Sequence, residues 1–192
     1  MMGKNYFLLV LCMCVGVYLT AEQGFYANFE IPVAQFSKVT EETELTSSAI
    51  IGVSLSYVID IPLSEKIYLS TGAGFRSYGI EIQSVYDHIT QQNELRFNEI
   101  VFPGMINIRI SESLYMQAGG ACVVQMNARN KFGQDISDYY RSVYPTANAG
   151  VRYFLTESIY CAVTYGRSMS DIRKDDPAMH VNFISMGVGI IL

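Results

Sequence analysis

Apolar residues alternate with small or polar residues along most of the chain after residue 23, with the period of two that is typical of β-strands. The clearest case begins at Ile51, where Ile51, Val53 and Leu55 share one face and Gly52, Ser54 and Ser56 share the other. The alternating segments predict eight strands, over residues 24–36, 49–61, 67–82, 95–110, 114–128, 143–154, 159–170 and 178–192.

A short polar motif that leads into an apolar residue and a tyrosine occurs three times. The three copies are Ser64-Glu65-Lys66-Ile67-Tyr68, Ser111-Glu112-Ser113-Leu114-Tyr115 and Thr156-Glu157-Ser158-Ile159-Tyr160. Their spacing of about 46 residues equals two strands with two connections, so the repeating unit is a hairpin.

Short and long connections alternate along the chain. The connections at 62–66, 111–113 and 155–158 are short, and those at 37–48, 83–94, 129–142 and 171–177 are longer and polar. An up-and-down barrel with tight turns at one end and loops at the other has this alternation, which is typical of outer membranes. The predicted fold class is therefore all-β: an eight-stranded antiparallel up-and-down transmembrane β-barrel.

Periodicity alone does not say which face of the strands lies inside the barrel. The polar face consists mostly of Gly, Ser, Thr and Tyr with few charges, which suits the narrow interior of eight strands better than a surface in water. We therefore expect the apolar face to contact lipid. A soluble lipid-binding barrel, with the same strands turned inside out, is the alternative.

Composition narrows the function classes. The 192 residues are 50% hydrophobic and only 16% charged, with a net charge of −5. Such a chain can bury enough apolar area to fold, so disorder is excluded, and the few Lys and Arg residues argue against a nucleic-acid partner. The length suits one domain.

The first 21 residues have the features of a secretory signal. Lys4 gives a basic start, residues 6–19 are almost wholly apolar, and Ala21 ends a small-residue cleavage site. We expect residues 1–21 to be a cleaved signal peptide and residues 22–192 to be the outer-membrane β-barrel domain. The remaining cysteines, Cys122 and Cys161, fall on strands that are not neighbours and point outward, so we predict two free buried thiols.

The segment Asn98-Glu99-Ile100-Val101-Phe102-Pro103, the run from Arg109 to Tyr115 and the closing Gly187-Val188-Gly189-Ile190 strand resemble the PorT-like outer-membrane β-barrel family of Gram-negative bacteria. The resemblance covers essentially the whole chain after the signal. It implies an eight-stranded barrel in the cell outer membrane, without enzymatic activity and without catalytic residues. For some members it also implies a link to protein secretion.

Strand phase predicts a polar network in the lumen. About the three short turns, we expect Asp60 to face Tyr68, Arg109 to face Tyr115 and Arg152 to face Tyr160. Asp60 can then pair with one of the two arginines, because a buried charge needs a partner. Nearer the long loops, we expect an ion pair between Arg76 and Glu99. The full set of predicted lumen residues is Glu30, Asp60, Tyr68, Arg76, Glu99, Arg109, Tyr115, Arg152 and Tyr160.

The sequence favours a non-enzymatic, monomeric envelope protein that acts in structure or interaction, with a possible role as an accessory to protein secretion. Its expected partners are outer-membrane lipid and an envelope or secretion-machinery protein. No cofactor or nucleic acid is expected. No metal ion is expected either, because the two histidines are not spaced as metal ligands.

Three alternatives remain open at this point. The first is a lipid-modifying enzyme that uses His88 or His180 with a serine such as Ser168 at the outer rim. The second is a narrow solute channel, whose conductance would rise when Arg109 or Arg152 is replaced by Ala. The third is the soluble lipid-binding barrel.

Overall fold

The alternating segments form eight antiparallel strands in a computed structural model that describes residues 22–37, 43–86, 89–175 and 178–192. The strands are β1 (Glu22–Ser37), β2 (Thr43–Pro62), β3 (Ile67–Tyr86), β4 (Ile89–Arg109), β5 (Leu114–Asn130), β6 (Val143–Phe154), β7 (Ile159–Ser168) and β8 (Ala178–Ile191). Each strand pairs with the next, and β8 pairs with β1 to close the ring. The predicted fold class is confirmed. The predicted signal peptide, residues 1–21, lies outside the described residues.

The strands are strongly staggered around the barrel. Following the register from Gln23 through all eight strands leads back to β1 at Val33, ten residues further along. Such a stagger requires strands that tilt by about 35–45° from the barrel axis. With eight strands, the interior is just wide enough to be filled by side chains.

Three strands are longer than the sequence pattern predicts. The polar stretches at 37–48 and 83–94 were expected to be loops, but β2 begins at Thr43, β3 runs to Tyr86 and β4 begins at Ile89. The sequence has no period of two over these stretches, and residues such as Thr are nevertheless compatible with strands. We call residues 43–51, 79–86 and 89–94 the β2–β4 extension.

The outer surface of the barrel is apolar. Every strand exposes large hydrophobic side chains outward, among them Phe29, Leu55, Phe75, Phe102, Met116, Val151, Val163 and Met186. The alternative of a soluble lipid-binding barrel required these side chains to point inward, so it is wrong. The described residues contain no helix whose length and hydropathy would carry it across a bilayer.

The two cysteines also lie on this surface. Cys122 and Cys161 are free, as predicted, with β6 between their strands. The prediction that they are buried is wrong, because Cys122 is exposed and Cys161 is half-buried on the lipid-facing side.

The three short turns share one geometry. Each is closed by a residue pair six positions apart, Pro62 with Tyr68, Arg109 with Tyr115 and Phe154 with Tyr160. In each turn two successive backbone N–H groups donate to one carbonyl: Leu63 and Ser64 to Ile67, Ile110 and Ser111 to Leu114, and Leu155 and Thr156 to Ile159. The sequence repeat is therefore a repeat of turn structure.

Candidate functional site

The lumen near the short turns contains a buried ion pair. Arg152 Nη1 donates to Asp60 Oδ2 at 2.6 Å, across the barrel from β6 to β2. Ser70 donates to the second oxygen of Asp60, and Asn107 donates to Ser70 Oγ at 2.6 Å. These contacts link side chains from four strands around the Asp60 carboxylate. Asp60 thus pairs with Arg152, while Arg109 forms no ion pair with any described residue.

Two of the three expected charge–tyrosine pairings are wrong. Asp60 lies opposite Ser70, and Arg152 lies opposite Ala162; only Arg109 faces the expected Tyr115. The centres of two turns are one residue later than the sequence suggests, which shifts the partner by two residues. The shift places Asp60 and Arg152 deeper in the lumen than Arg109, where they can reach each other.

Five aromatic rings follow one another around the lumen wall at this depth. The ring centroids of Tyr68, Tyr115, Phe154, Tyr160 and Tyr26 are successively 5.9, 5.1, 5.3 and 5.6 Å apart. The Arg152 guanidinium lies 4.4 Å from the centroid of Tyr160. The Tyr160 ring lies across β8 at Gly189, where any side chain would collide with it. We call these five residues the aromatic collar.

A second ion pair lies nearer the long loops. Arg76 and Glu99 are directly opposite in the β3–β4 register, and Arg76 Nη2 and Nε donate to Glu99 Oε2 at 2.6 and 2.9 Å. The hydroxyls of Tyr144 and Tyr78 donate to the other carboxylate oxygen at 2.6 and 3.1 Å. The Phe183 ring covers the guanidinium, with its centroid 3.8 Å from Arg76 Cζ. Glu99 is fully buried, and its carboxylate is satisfied by three side chains.

Beyond this ion pair, the long-loop end of the lumen is filled with apolar side chains. We call this cluster the apolar plug, and it consists of Ala34, Tyr78, Ile80, Leu95, Phe97, Val123, Ala128, Tyr140, Tyr144, Ile172, Met179, Val181 and Phe183. Tyr140 and Ile172 come from the loops after β5 and β7, so the loops fold into the barrel mouth. Burial raises the pKa of the Tyr140 hydroxyl to about 12, which keeps this phenol neutral.

Between the two ion pairs, a cavity of about 130 Å³ contains Glu30. Ser54 Oγ donates to Glu30 Oε1 at 2.7 Å, and Ser185 donates to Oε2. Gln117 donates to Thr164 Oγ1 at 2.6 Å on the same cavity wall. The cavity wall is mixed, with Val101, Pro103 and Met105 beside the polar groups, and the apolar plug lies between it and the long loops. The described lumen therefore gives no support to the alternative of a solute channel.

A larger pocket, of about 370 Å³, opens at the short-turn end. Its inner wall includes the Asp60–Arg152 pair and Asn107, and its sides include Arg109 and three rings of the aromatic collar, Tyr68, Tyr115 and Phe154. Glu22, Glu112 and Glu157 lie around its mouth and are exposed. We call it the short-turn pocket.

Two of the rim residues considered for catalysis, His180 and Ser168, lie next to each other. His180 Nε2 lies 2.9 Å from Asp171 Oδ1, and His180 Nδ1 lies 3.4 Å from Ser168 Oγ. Ser168 is buried, and its hydroxyl accepts the Val181 N–H at 3.0 Å. A nucleophile must reach its substrate, so the arrangement is better suited to holding the β7–β8 loop than to acyl transfer. His88 lies outside the described residues.

Within the described ranges, no group of three or more His, Cys, Asp or Glu side chains could hold a metal ion. Sequence reasoning missed several residues of the polar network, chiefly Ser70, Tyr78, Asn107 and Tyr144. All four have the inward phase of their strands, which is the signal that could have found them.

Comparison with known proteins agrees with this geometry. Residues 19–172 match the family described as outer membrane protein beta-barrel domain. No curated protein sequence matches the chain.

Solved structures of other outer-membrane proteins share the fold. The crystal structure of Neisserial surface protein A superposes with a TM-score of 0.60 at 12% identity, covering 90% of this chain and 99% of the other. Ail, the attachment invasion locus protein of Yersinia pestis, gives a TM-score of 0.52 at 15% identity with the same coverage. A ring of eight strands, an apolar outer surface and a filled polar lumen thus agree with the family match: the chain belongs to the outer membrane protein beta-barrel domain family, and its barrel lies in the outer membrane of the cell.

Proposed function

We propose that this protein is a non-enzymatic, monomeric envelope protein that acts by binding a partner protein at its long-loop end. Within this proposal it is a PorT-like barrel, and the partner is an envelope protein such as a component of a secretion machinery. The observation that carries the proposal is the β2–β4 extension, whose outer edges form no backbone ladder with another described strand.

Neither edge of the extension forms a backbone ladder with a further described strand, although the Ser47 hydroxyl donates to the Ala34 carbonyl of β1 at 2.8 Å. The β1–β2 ladder ends at Glu30 and Gly52, so residues 43–51 pair with β3 alone. The β4–β5 ladder begins at Leu95 and Asn130, so residues 89–94 also pair with β3 alone. Unpaired strand edges present rows of N–H and C=O groups that can accept an added strand from another chain.

Other features support the absence of chemistry and a single copy. Ser168 is buried under the Val181 N–H, which argues against a rim nucleophile. Exposed apolar side chains occur on all eight strands, so the barrel can be surrounded by lipid without a second subunit.

The orientation of Gln92 suggests a sharp test. Its carbonyl accepts from Lys131 Nζ at 2.9 Å, and Lys131 follows β5 on the side away from β3. The N–H and C=O of one residue point to the same side in an antiparallel strand, so the Gln92 N–H faces the free edge. Gln92→Pro removes this donor and spares the β3–β4 ladder, while Gln92→Ala changes only the side chain.

The experiment is in-cell cross-linking followed by detergent purification of the wild type and both variants. We expect one envelope protein to be recovered with the wild type and Gln92→Ala, and to be lost with Gln92→Pro. Recovery of the same proteins in equal amounts with all three would refute an edge-mediated interaction.

The enzyme alternative has a separate test. We expect His180→Ala to leave the lipid composition of the outer membrane unchanged, because Ser168 is not accessible. Mass spectrometry of extracted outer-membrane lipids checks this, and a changed acylation pattern would favour an enzyme.

A further inference from the structure

We propose that the short-turn pocket is a binding site for a small zwitterionic ligand of about dipeptide size, with its carboxylate inside and a positive group at the mouth. Short turns of outer-membrane barrels lie on the periplasmic side, so the ligand enters from the periplasm. This site is at the opposite end of the barrel from the β2–β4 extension and does not depend on the function proposed for it.

The size and lining of the pocket suit a ligand. Its volume of about 370 Å³ falls in the range of small-molecule sites, which combine apolar or aromatic walls with a few placed polar groups. Tyr68, Tyr115 and Phe154 of the aromatic collar supply the walls. Their mutual ring contacts hold them in place, so the pocket is already formed.

The inner part of the pocket has hydrogen-bonding groups without protein partners. Arg152 is only 6% exposed, yet its Nε has no hydrogen-bond partner among the described residues. Asn107 is 1% exposed, and its Oδ1 is also unpartnered there. Buried polar atoms are nearly always paired in folded proteins, so the inner wall of the pocket is incompletely satisfied by the protein itself.

Arg109 determines the sign of the group that enters. Asp60 neutralises Arg152 at 2.6 Å, but none of the described acidic side chains forms a salt bridge with Arg109. A guanidinium without a counter-charge on a pocket wall favours a carboxylate, which it can hold by charge-assisted hydrogen bonds.

The mouth has the opposite charge. Glu112 and Glu157 come from two different short turns and Glu22 from the start of β1, and all three line the opening. With the Asp60–Arg152 pair neutral, the pocket has one positive wall and three negative groups at its mouth. A ligand with a carboxylate at one end and one or more ammonium groups at the other matches this arrangement.

The test uses the dipeptide Ala-Lys as the probe and isothermal titration calorimetry on the full-length protein in detergent micelles. Amidated Ala-Lys, which lacks the carboxylate, and Ala-Glu, which adds a negative charge, are the ligand controls. The variants are Arg109→Gln, which removes the wall charge, and Glu157→Gln, which removes a mouth charge. Arg129→Gln is the matched control, because Arg129 lies among the last residues of β5, at the other end of the barrel.

We expect Ala-Lys to bind the wild type and Arg129→Gln equally, and to bind Arg109→Gln about tenfold or more weakly. Amidation should cause a similar loss, and Glu157→Gln a smaller one. Heat-modified gel mobility confirms that each variant keeps a closed barrel. Equal or tighter binding of the amidated peptide would mean that the acidic mouth alone attracts cations, and would overturn the proposal. So would an absence of heat at millimolar Ala-Lys, or unchanged binding by Arg109→Gln.

Discussion

The two ends of the lumen each contain one arginine–carboxylate pair, but in different surroundings. At the long-loop end, Arg76 and Glu99 lie under the apolar plug, and Glu99 has two tyrosine hydroxyls as further partners. At the short-turn end, Arg152 and Asp60 line an open pocket, and Arg152 Nε is left unpartnered. A fully satisfied, covered pair stabilises one packing of the core, whereas a pair on the wall of an open pocket can be approached by a ligand.

The largest effect should come from breaking the covered pair. Glu99→Gln leaves the Arg76 guanidinium buried without a counter-charge, and removal of one partner of a buried pair costs about 3–5 kcal/mol. We expect the free energy of unfolding in lipid vesicles, measured by urea titration with gel mobility as the readout, to fall by this amount. A loss below about 1 kcal/mol would mean that water reaches Arg76 through the plug.

Asp60→Asn should have a smaller effect, of about 1–3 kcal/mol, although it removes the same kind of partner. Arg152 is as buried as Arg76, but Asp60 is 8% exposed at the short-turn pocket whereas Glu99 is fully buried, so solvent can enter beside Arg152 after the substitution. The same urea titration compares the two variants directly. If Asp60→Asn is as destabilising as Glu99→Gln, the two ends do not differ in solvent access.

A still smaller effect concerns the loop that supplies Tyr140 to the plug. The Ser137 hydroxyl donates to Asp135 Oδ1 at 2.6 Å, and with the Ser137 N–H it holds the pKa of that carboxyl below its usual value. The loop is therefore stabilised at neutral pH, and this stabilisation is lost as the pH falls through the lowered pKa. Ser137→Ala should raise the pKa of Asp135 toward its usual value, which a carboxyl NMR titration measures. An unchanged titration would show that the backbone N–H alone lowers the pKa.

The smallest expected effect is on conductance. Arg152→Ala enlarges the short-turn pocket, but the apolar plug still closes the lumen above it. We expect planar-bilayer recordings of this variant to match the wild type. A raised conductance would show that the plug opens, and would restore the channel alternative.

The barrel could be predicted from the sequence because the hydrophobic period of two and the spacing of the turns repeat in every hairpin. The facing of Arg76 and Glu99 could be derived too, since both have the inward phase on adjacent strands. Residue pairings near the short turns were harder to predict, because an error of one residue in the centre of a turn moves the predicted partner by two residues. The apolar plug could not be predicted from the sequence, since Tyr140 and Ile172 enter it from loops that have no hydrophobic period.

The ladder that closes the ring has a consequence for when the barrel can form. Fourteen residue pairs join β1 to β8, but only nine join β1 to β2. The second half of β1, from Ile31 onward, pairs with β8 alone. Unpaired backbone groups are costly in a bilayer, so the first strand cannot settle there until the last has arrived. Insertion of β1 therefore depends on β8, so the hairpins cannot settle in the bilayer one after another in chain order.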